Sequence, residues 1–338
     1  MSQCFIQGQE NELLDFISKK KYTQFIFLVD ANTNGFCLHV LFKLFPSWRN
    51  THRIIIPQGE QHKTLEIASL IWDQLEELQC QKSTLLINVG GGMITDIGGF
   101  AASVYKRGID TLNIPTTLLA MTDAAYGGKT GIDYHNIKNH LGTFHHPIAL
   151  YIHPLFLQSL DNRILFSGIA ETIKHALLDA GDWWHKMQDY TLENFLSVDT
   201  IMQSLQIKIA IVEQDEKDVS IRQTLNVGHS IGHAIESYAL QTNNPLLHGE
   251  AIMLGMMYEA KISEQLLGLN GRVYHQLQKL QKRFFLFLHA QYKYSELLPF
   301  LLHDKKNNDG IRMSLIQAPG KCLTNILVTP NLLQDILP

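Results

Sequence analysis

Short apolar runs alternate with helical patterns through the first 160 residues, and this alternation limits the folds open to the chain. Residues 25–29, 53–56, 85–89 and 112–114 are dense in Ile, Leu, Val or Phe and are predicted to be buried strands. Between them, residues 64–78 carry apolar side chains at helical spacing, and residues 96–104 are a second helix candidate. Strands that alternate with helices are typical of a parallel sheet. We therefore predict an α/β domain over residues 1–160.

The pattern changes after residue 161. Long helical patterns cover residues 167–178, 201–213 and 250–266, and strand candidates return only at 313–316 and 325–328. A length of 338 residues suits two domains. Residues 161–338 are predicted to form a mainly helical second domain.

Charge and cysteine usage exclude several classes of protein. The net charge is −4 without a long run of one sign, so we expect no nucleic-acid partner. The four cysteines form no C-x-x-C pair and are predicted to be free thiols in a reducing compartment. Residues 1–10 do not resemble a signal peptide, and no stretch of about 18 apolar residues is present. These features predict a cytoplasmic protein that does not bind a membrane.

A glycine run follows the strand predicted at residues 85–89. Gly90, Gly91 and Gly92 lie between that strand and a helix start near Asp96. Glycines let a backbone approach a phosphate, and the N–H groups at a helix N-terminus favour an anion. A tight turn without a ligand is the alternative. The run is not the G-x-G-x-x-G of a dinucleotide site, so NAD does not follow from it alone.

A second glycine-rich segment covers residues 126–131. Its Lys129-Thr130 pair resembles a P-loop, but Ala124 stands where the first P-loop glycine belongs. A nucleoside triphosphate site is therefore not expected. Lys129 would still suit one phosphate or a pyrophosphate, and Lys138 and Asn139 could add donors. The alternative for each is a solvated surface residue.

Histidines and a glutamate in the second domain suggest a metal site. His229 and His233 are four residues apart and would share a helix face, with His248 and Glu171 as further candidates. Three of these four could bind zinc and leave one position open, as in catalytic sites. The alternatives are a chance pair among the 16 histidines and a solvated glutamate. Spacing does not decide which three residues would bind.

Three basic residues accompany this candidate site. Lys174, Lys208 and Arg222 suggest an anionic substrate, because Arg pairs with carboxylates and phosphates through its planar fork. The alternative for Lys208 and Arg222 is an ordinary surface charge.

Taken in order, these segments resemble the 3-dehydroquinate synthase family from residue 59 to residue 312. The matching segments are residues 59–63, 90–92 with Asp96, 105–108, 115–119, 127–131, 138–139, 170–174, 225–229, 232–236, 248–250 and 304–306. The resemblance implies a Rossmann-like α/β N-terminal domain that binds NAD. It also implies a mainly α-helical C-terminal domain that binds metal and substrate.

The resemblance also implies a role for each matching residue. The metal, zinc or cobalt, would be bound by Glu171, His229 and His248, so His233 would contact the substrate instead. The residues implied to bind NAD are Glu60, Gln61, His62, Lys63, Gly92, Met93, Ile94, Thr95, Asp96, Thr116, Thr117, Lys129, Lys138, Phe156, Leu157, Gln158 and Ser159. Those implied to act in catalysis or to contact substrate are Arg107, Asp123, Lys129, Asn139, Lys174, Lys208, Asp218, Arg222, Asn226, His233, and Lys305 or Lys306.

The implied reaction converts 3-deoxy-D-arabino-heptulosonate 7-phosphate (DAHP) to 3-dehydroquinate and phosphate, a step of aromatic amino acid biosynthesis. It proceeds by transient oxidation with NAD, phosphate elimination, re-reduction, ring opening and aldol closure. Lys174 would stabilise the alkoxide or enolate, and Lys208 and Arg222 would bind the carboxylate. The family also implies a homodimer, in which Arg107 could reach the phosphate from the neighbouring subunit.

Several positions depart from the family pattern. Thr95 replaces a usual glycine, Ala124-Ala125 replaces a serine pair, and Asp133 replaces a common asparagine. Asp218 stands where a glutamate is usual and has a shorter reach. Residues 159–165 also differ from the family's usual segment. None of these changes removes a charged group that the chemistry needs.

Three alternatives to this reaction remain open. Other sugar-phosphate cyclases, such as 2-deoxy-scyllo-inosose or epi-valiolone synthases, share the metal and NAD residues but not a carboxylate-bearing substrate. Metal-dependent alcohol or glycerol dehydrogenases resemble this fold, but residues 115–119 and 127–129 differ from their loop. A catalytically inactive binding protein would lack a metal ligand or a lysine, and none is missing.

Overall fold

The predicted alternation of strands and helices is present in the structure. The computed structural model describes residues 2–135, 137–286, 288, 292–303 and 310–337. Within them the strands are β1 (Gln3–Ile6), β2 (Gln24–Asp30), β3 (His52–Ile56), β4 (Thr84–Gly90), β5 (Asp110–Pro115), β6 (Lys129–Tyr134), β7 (Ile137–Phe144), β8 (Ala149–Ile152), β9 (Ile311–Ala318) and β10 (Lys321–Val328). All the strands expected from the apolar runs are thus confirmed, but β3 is buried on one face only, because it is an edge strand whose Arg53 and Ile55 are exposed.

The α-helices of the described residues are longest in the second half. They are α1 (Glu10–Ser18), α2 (Ala31–Phe36), α3 (Leu38–Leu44), α4 (Leu65–Glu77), α5 (Gly92–Val104), α6 (Asn162–Leu178), α7 (Trp183–Met187), α8 (Leu192–Leu196), α9 (Val198–Gln214), α10 (His229–Ala239), α11 (His248–Leu267), α12 (Arg272–Phe284), α13 (Tyr294–His303) and α14 (Pro330–Ile336). Short 3₁₀ turns cover Pro46–Trp48, Glu60–His62, Tyr105–Arg107, Pro154–Ser159 and Ile221–Asn226, and a π turn covers Ala120–Ala124. No helix in this part of the chain is both long and apolar enough to cross a membrane.

Backbone contacts divide the chain into two units. The first is Met1–Leu160 with Leu196–Leu205, and the second is Asp161–Phe195 with Gln206–Pro338. The division by sequence places Leu196–Leu205 in the second domain, whereas these residues group with the first unit. The predicted substrate residues Lys305 and Lys306 lie outside the described residues.

A parallel sheet organises the first unit. Its strand order is β1-β8-β5-β4-β2-β3, and every neighbouring pair is parallel. From β2 the chain crosses to β3 on one side, and β4 then pairs with the other side of β2. In open α/β sheets, ligands bind beyond the carboxyl ends of strands at such a reversal. Asp30 and Gly90 end β2 and β4 there, so the glycine run lies at the usual ligand edge.

Helices α4 and α5 pack on this sheet. Every residue of β4 is buried, which explains its continuous apolar run. Helix α4 contributes Ala68, Ile71 and Leu75 to the same core as Ile26 and Leu28 of β2. This core supports the start of α5, where the glycine run ends.

Several elements of the first unit, among them β8 and the β6–β7 hairpin, were not predicted from the sequence. Strand β8 has four buried residues, too few to give a clear pattern. Strands β6 and β7 form an antiparallel hairpin, and every residue of β7 is exposed or half-buried. Without a buried face, β7 shows none of the alternation by which a strand is recognised.

Close helix packing organises the second unit. Gly228, with φ +81°, precedes α10, and a Cβ atom there would lie 2.5 Å from Met256 Cγ. A Cβ atom at Gly255 would overlap the Gly228 carbonyl oxygen and lie 2.7 Å from Gly232 N. These glycines let α10 and α11 approach closely, so the histidines at their N-termini come together.

Candidate active site

The glycine turn of the first unit is closely packed against a threonine pair. Gly91 is the N-cap of α5, and a Cβ atom there would lie 3.0 Å from Thr117 Cγ2. Thr116 N–H donates to the Gly90 carbonyl at 2.9 Å. The structure therefore brings the predicted NAD residues of the first α5 turn, Gly92–Asp96, beside Thr116 and Thr117.

Thr95, which departs from the family pattern, is directed into the protein. It is buried, and its hydroxyl donates to the Gly92 carbonyl at 3.0 Å. The extra side chain is therefore held within the first turn of α5.

Lys63 is the centre of a polar cluster in the first unit. Only 2% of its side chain is exposed, and its Nζ donates to Asp96 Oδ2 at 2.5 Å and to Asn139 Oδ1. Glu60 Oε1 lies 3.6 Å away. Although burial lowers it, the nearby Asp96 and Glu60 carboxylates raise the pKa of Lys63 above its usual value. Asp133 accepts the Asn139 N–H at 2.8 Å. Predicted NAD residues and one predicted substrate residue thus form a single cluster.

The other predicted residues of the first unit differ in exposure. Phe156 and Leu157 are core side chains, so these two residues would contact a ligand through their backbone. Asp123 is half-buried in the π turn. Arg107, at φ +62°, is exposed. Exposed or half-buried side chains also include Gln61, His62, Met93, Lys129, Lys138, Gln158 and Ser159, and Ile94 is buried.

Glu171 and two histidines meet in the second unit. Glu171 is fully buried in the middle of α6, which overturns the alternative of a solvated glutamate. Its Oε1 lies 3.3 Å from His248 Nε2 and 3.7 Å from His229 Nε2. His248 begins α11 and His229 begins α10. Three residues far apart in sequence thus direct potential metal-binding atoms at one point.

His233 lies beside these residues but is more accessible. It lies one helical turn after His229, as predicted, and the centroids of these two rings are 5.1 Å apart. The ring of His233 is 5.7 Å from that of His248, and the three imidazoles offer nitrogens within 4.8 Å of one another. His233 is exposed, whereas His229 and His248 are partly buried.

The two partly buried imidazoles are oriented through Nδ1. His229 Nδ1 lies 3.1 Å from the Val227 carbonyl oxygen, and His248 Nδ1 lies 3.4 Å from Glu236 Oε2. A histidine that donates through one nitrogen presents the other to a metal. Both rings therefore direct Nε2 at Glu171.

Burial and charge set the protonation of these histidines. Burial, and then the Lys174 ammonium, lower the pKa of His229 well below its usual value. A neutral imidazole is the form that binds metal. Burial also lowers the pKa of His248, but hydrogen bonds to Glu171 and Glu236 outweigh it and raise that pKa to about 9.

Glu236 was missed in the sequence analysis as a functional residue. It is buried and lies seven residues after His229 and three after His233 on α10. Residues at these spacings share a helix face. That spacing is the signal that could have identified it.

The predicted basic residues of the second unit are buried. Lys174 is 1% exposed and forms an ion pair through Nζ with Glu171 Oε2, opposite the oxygen that faces the histidines. Lys208 is 7% exposed and Arg222 is 3% exposed. The alternative of ordinary surface charges is therefore wrong for both, because charged groups are rarely buried without a partner or a function.

Arg222 belongs to a loop that is folded around Asp215. The Asp215 carboxylate accepts backbone N–H groups of Val219, Ser220 and Arg222 at 2.6–3.1 Å. These bonds outweigh burial and lower the pKa of Asp215 to about 2. Asp218 lies within this loop, half-buried and at φ +60°.

Asn226 follows the same loop and precedes His229, the first histidine of the candidate metal site. It ends the 3₁₀ turn Ile221–Asn226 and is half-buried, three residues before His229. The Gln223 carbonyl of this turn accepts a hydrogen bond from the Ser314 hydroxyl at 2.6 Å, which anchors the turn to β9.

Known proteins resemble this chain over most of its length. Residues 53–167 match the family model described as 3-dehydroquinate synthase N-terminal, and residues 168–307 match the C-terminal model. The chain is 37% identical over 332 residues to the 3-dehydroquinate synthase of Parabacteroides distasonis. The aligned region covers 95% of this chain and 92% of that protein.

Two solved synthase structures share the fold. A 2-deoxy-scyllo-inosose synthase with carbaglucose-6-phosphate, NAD⁺ and Co²⁺ superposes with a TM-score of 0.87 at 23% identity, over 99% of this chain and 95% of that one. A 2-epi-5-epi-valiolone synthase from Streptomyces hygroscopicus subsp. jinggangensis 5008, with NAD⁺ and Zn²⁺, has a TM-score of 0.85 at 24% identity, over 100% and 96%.

Proposed function

The chain belongs to the 3-dehydroquinate synthase family, and we propose that it converts DAHP to 3-dehydroquinate and phosphate with NAD and a divalent metal ion. The reaction is that of a lyase acting on a phosphate ester. The observation that carries the proposal is the convergence of Glu171, His229 and His248 in a chain that matches this family over most of its length.

The second unit has a donor set that fits a divalent metal. One buried carboxylate oxygen faces two imidazole Nε2 atoms, and both rings are oriented through Nδ1. We assign Glu171, His229 and His248 as ligands and His233, which is exposed, as a substrate contact. Zinc or cobalt bound there would act as a Lewis acid on a substrate oxygen. Two solved structures with this fold contain Co²⁺ or Zn²⁺, which supports a divalent metal as cofactor.

The first unit has a turn that fits the pyrophosphate of NAD. Gly90 and Gly91 precede α5, which begins at Gly92 at the reversal point of the sheet, where backbone N–H groups favour an anion. NAD would accept a hydride from a substrate hydroxyl and return it later. Thr116 and Thr117 would bind NAD beside the turn. The ion pair between Lys63 and Asp96 would hold the loop that contains Lys63 against α5.

The substrate's negative groups would meet buried cations. Lys174 Nζ, held by Glu171, would donate to an oxygen on which negative charge develops. Arg222 and Lys208 would bind the carboxylate, since a guanidinium pairs with a carboxylate through two hydrogen bonds. Asp218 and Asn226, each four residues from Arg222 in the sequence, complete this set. In the first unit, Arg107, Asp123, Lys129 and Asn139 are the proposed substrate residues.

A homodimer and a cytoplasmic location are also part of the proposal. Val104, Ile137, Leu141 and Phe144 are 36–50% exposed on α5 and β7, and a second copy of the chain would cover such side chains. Arg107 follows Val104 closely and would then reach a neighbouring subunit. Light scattering on the purified protein tests the dimer. The free cysteines Cys4, Cys37, Cys80 and Cys322 support a reducing compartment.

The activity is tested by incubating the metal-loaded protein with DAHP and NAD and following phosphate and dehydroquinate. Turnover is expected with DAHP and not with a sugar phosphate that lacks the carboxylate. The ligand assignment is tested by comparing Glu171→Ala, which should lose tight zinc binding, with His233→Ala, which should keep zinc but lose turnover. A folded, zinc-loaded protein that releases no phosphate from DAHP would contradict the proposal.

A further inference from the structure

Three residues spaced four apart on α6 contact three consecutive residues at the start of α11. Along α6 they are Arg163, Ser167 and Glu171, which share one helix face. Their partners run in the opposite order. Arg163 binds Glu250, Ser167 binds Gly249, and Glu171 lies beside His248. The proposed ligand pair Glu171–His248 is therefore the last of three contacts along one stripe.

The first contact is a bidentate ion pair. Arg163 Nε donates to Glu250 Oε1 at 2.5 Å, and its Nη2 donates to Glu250 Oε2 at 2.7 Å. The same Nη2 donates to the Pro245 carbonyl at 2.6 Å. Glu250 is fully buried, and its Oε2 also accepts the Leu247 N–H at 2.7 Å. Arg163 thus fixes both the loop before His248 and the first turn of α11.

The second contact sets the distance between the helices. The Gly249 N–H donates to Ser167 Oγ at 2.9 Å. A Cβ atom at Gly249 would overlap the Ser167 carbonyl oxygen and lie 2.6 Å from its Cα atom. The backbones therefore touch at this point, one helical turn from Glu171.

We infer that Arg163 and Ser167 are positioning residues that set the separation of Glu171 and His248, and so the affinity for the metal. This inference rests on the proposed role of Glu171 and His248 as ligands. On α6, Arg163 lies two helical turns and Ser167 one helical turn before Glu171. They act through the backbone of residues 247–250, which carries His248.

The test is the zinc dissociation constant of the full-length protein, measured by competition with a chromophoric chelator, together with the thermal midpoint. Arg163→Met and Glu250→Gln should each raise the dissociation constant on the order of ten-fold, as outer residues of metal sites do. Ser167→Ala, which removes one hydroxyl, should raise it roughly five-fold. Arg163→Lys should recover only part of the loss, because an ammonium cannot form the bidentate pair.

Two controls keep the result specific. Lys186→Met removes an exposed ion pair with Asp182 in the same unit and should leave zinc affinity unchanged. His248→Ala should lose tight zinc binding. The double variant Arg163→Met with Glu250→Gln should bind zinc no more weakly than the single variant with the lower zinc affinity. Both substitutions remove the same ion pair, so their effects should not add.

The outcomes separate this inference from the proposed function. If Arg163→Met and Ser167→Ala bind zinc within two-fold of wild type while His248→Ala does not bind it, the positioning role is wrong and the metal site stands. If His248→Ala and Glu171→Ala bind zinc like wild type, the ligand assignment itself is wrong. Ser167→Ala decides the question if Arg163→Met does not fold.

Discussion

Glu236 Oε2 lies 3.4 Å from Nδ1 of His248, on the side of the ring opposite Glu171. Glu236 belongs to α10 and His248 to α11, so this contact joins the two helices that carry the histidines. A carboxylate behind a metal-binding imidazole fixes the tautomer and makes the other nitrogen a better ligand.

We expect Glu236→Ala to raise the zinc dissociation constant by roughly 10- to 100-fold. The Glu236→Gln variant keeps an oxygen that can accept from Nδ1–H and should lose less. Glu193→Gln, on the exposed side of α8, is the matched control. Equal zinc affinities for Glu236→Ala and the control would show that the contact does not orient His248.

The features that could be predicted from the sequence are those that depend on a local pattern of residues. Apolar runs identified the central strands because those residues are buried on both faces, and the four-residue spacing placed His229 and His233 on one helix face. Contacts between distant residues could not be predicted in this way. Arg163 and Glu250 are 87 residues apart, and Lys63 and Asn139 are 76 apart.

The burial of charged side chains likewise could not be predicted from a local pattern of residues. Lys208 stands between Ile207 and Ile209 on α9 and Arg222 lies in a polar stretch, and only the folded chain shows that both side chains are buried. For Arg222, the cause is the loop around Asp215, whose bonds go to backbone N–H groups rather than to recognisable side chains. Any residue type can supply a backbone N–H group, so such a loop leaves little trace in sequence.

Gly249→Ala should destabilise the second unit by about 2 kcal/mol or more, because the new methyl group would overlap Ser167. Gly35→Ala is the control. Gly35 lies in α2 with open space at its Cβ position, so this change should stabilise by about 0.5–1 kcal/mol. Urea unfolding followed by tryptophan fluorescence measures both. A Gly249→Ala protein as stable as wild type would mean that α6 and α11 can separate without cost.

Lys174→Met should separate metal binding from catalysis. Without the ammonium, the buried Glu171 carboxylate loses its ion pair, so the metal-free protein should have a lower thermal midpoint. Zinc would restore the missing positive charge, so we expect zinc to raise the midpoint more in the variant than in wild type. The loss of a donor to the developing negative charge should lower kcat by about 100- to 1,000-fold. Thermal scans with and without zinc measure the midpoints, and the phosphate-release assay measures kcat. An equal zinc-induced rise of the midpoint in the variant and in wild type would contradict the predicted effect on metal binding.

His153 should make the first unit sensitive to mild acid. It is buried at the N-cap of the turn Pro154–Ser159, and its Nδ1 accepts the Leu155 N–H at 3.2 Å. Burial lowers the pKa of His153 below its usual value near 6.5, although Glu10 opposes this shift. The unfolded chain therefore binds the proton more readily. The stability that the neutral ring contributes is complete above about pH 6.5 and is lost as the pH falls through the folded-state pKa.

His153→Asn removes this titration and keeps an oxygen that can accept the Leu155 N–H. We expect wild type to lose more stability than the variant between about pH 7.5 and about pH 5.5, measured by urea unfolding. Because the turn also carries Gln158 and Ser159, which we propose to bind NAD, the NAD affinity should weaken over the same range in wild type and less in the variant. Equal pH dependence of unfolding in the two proteins would mean that the neutral imidazole does not stabilise this turn.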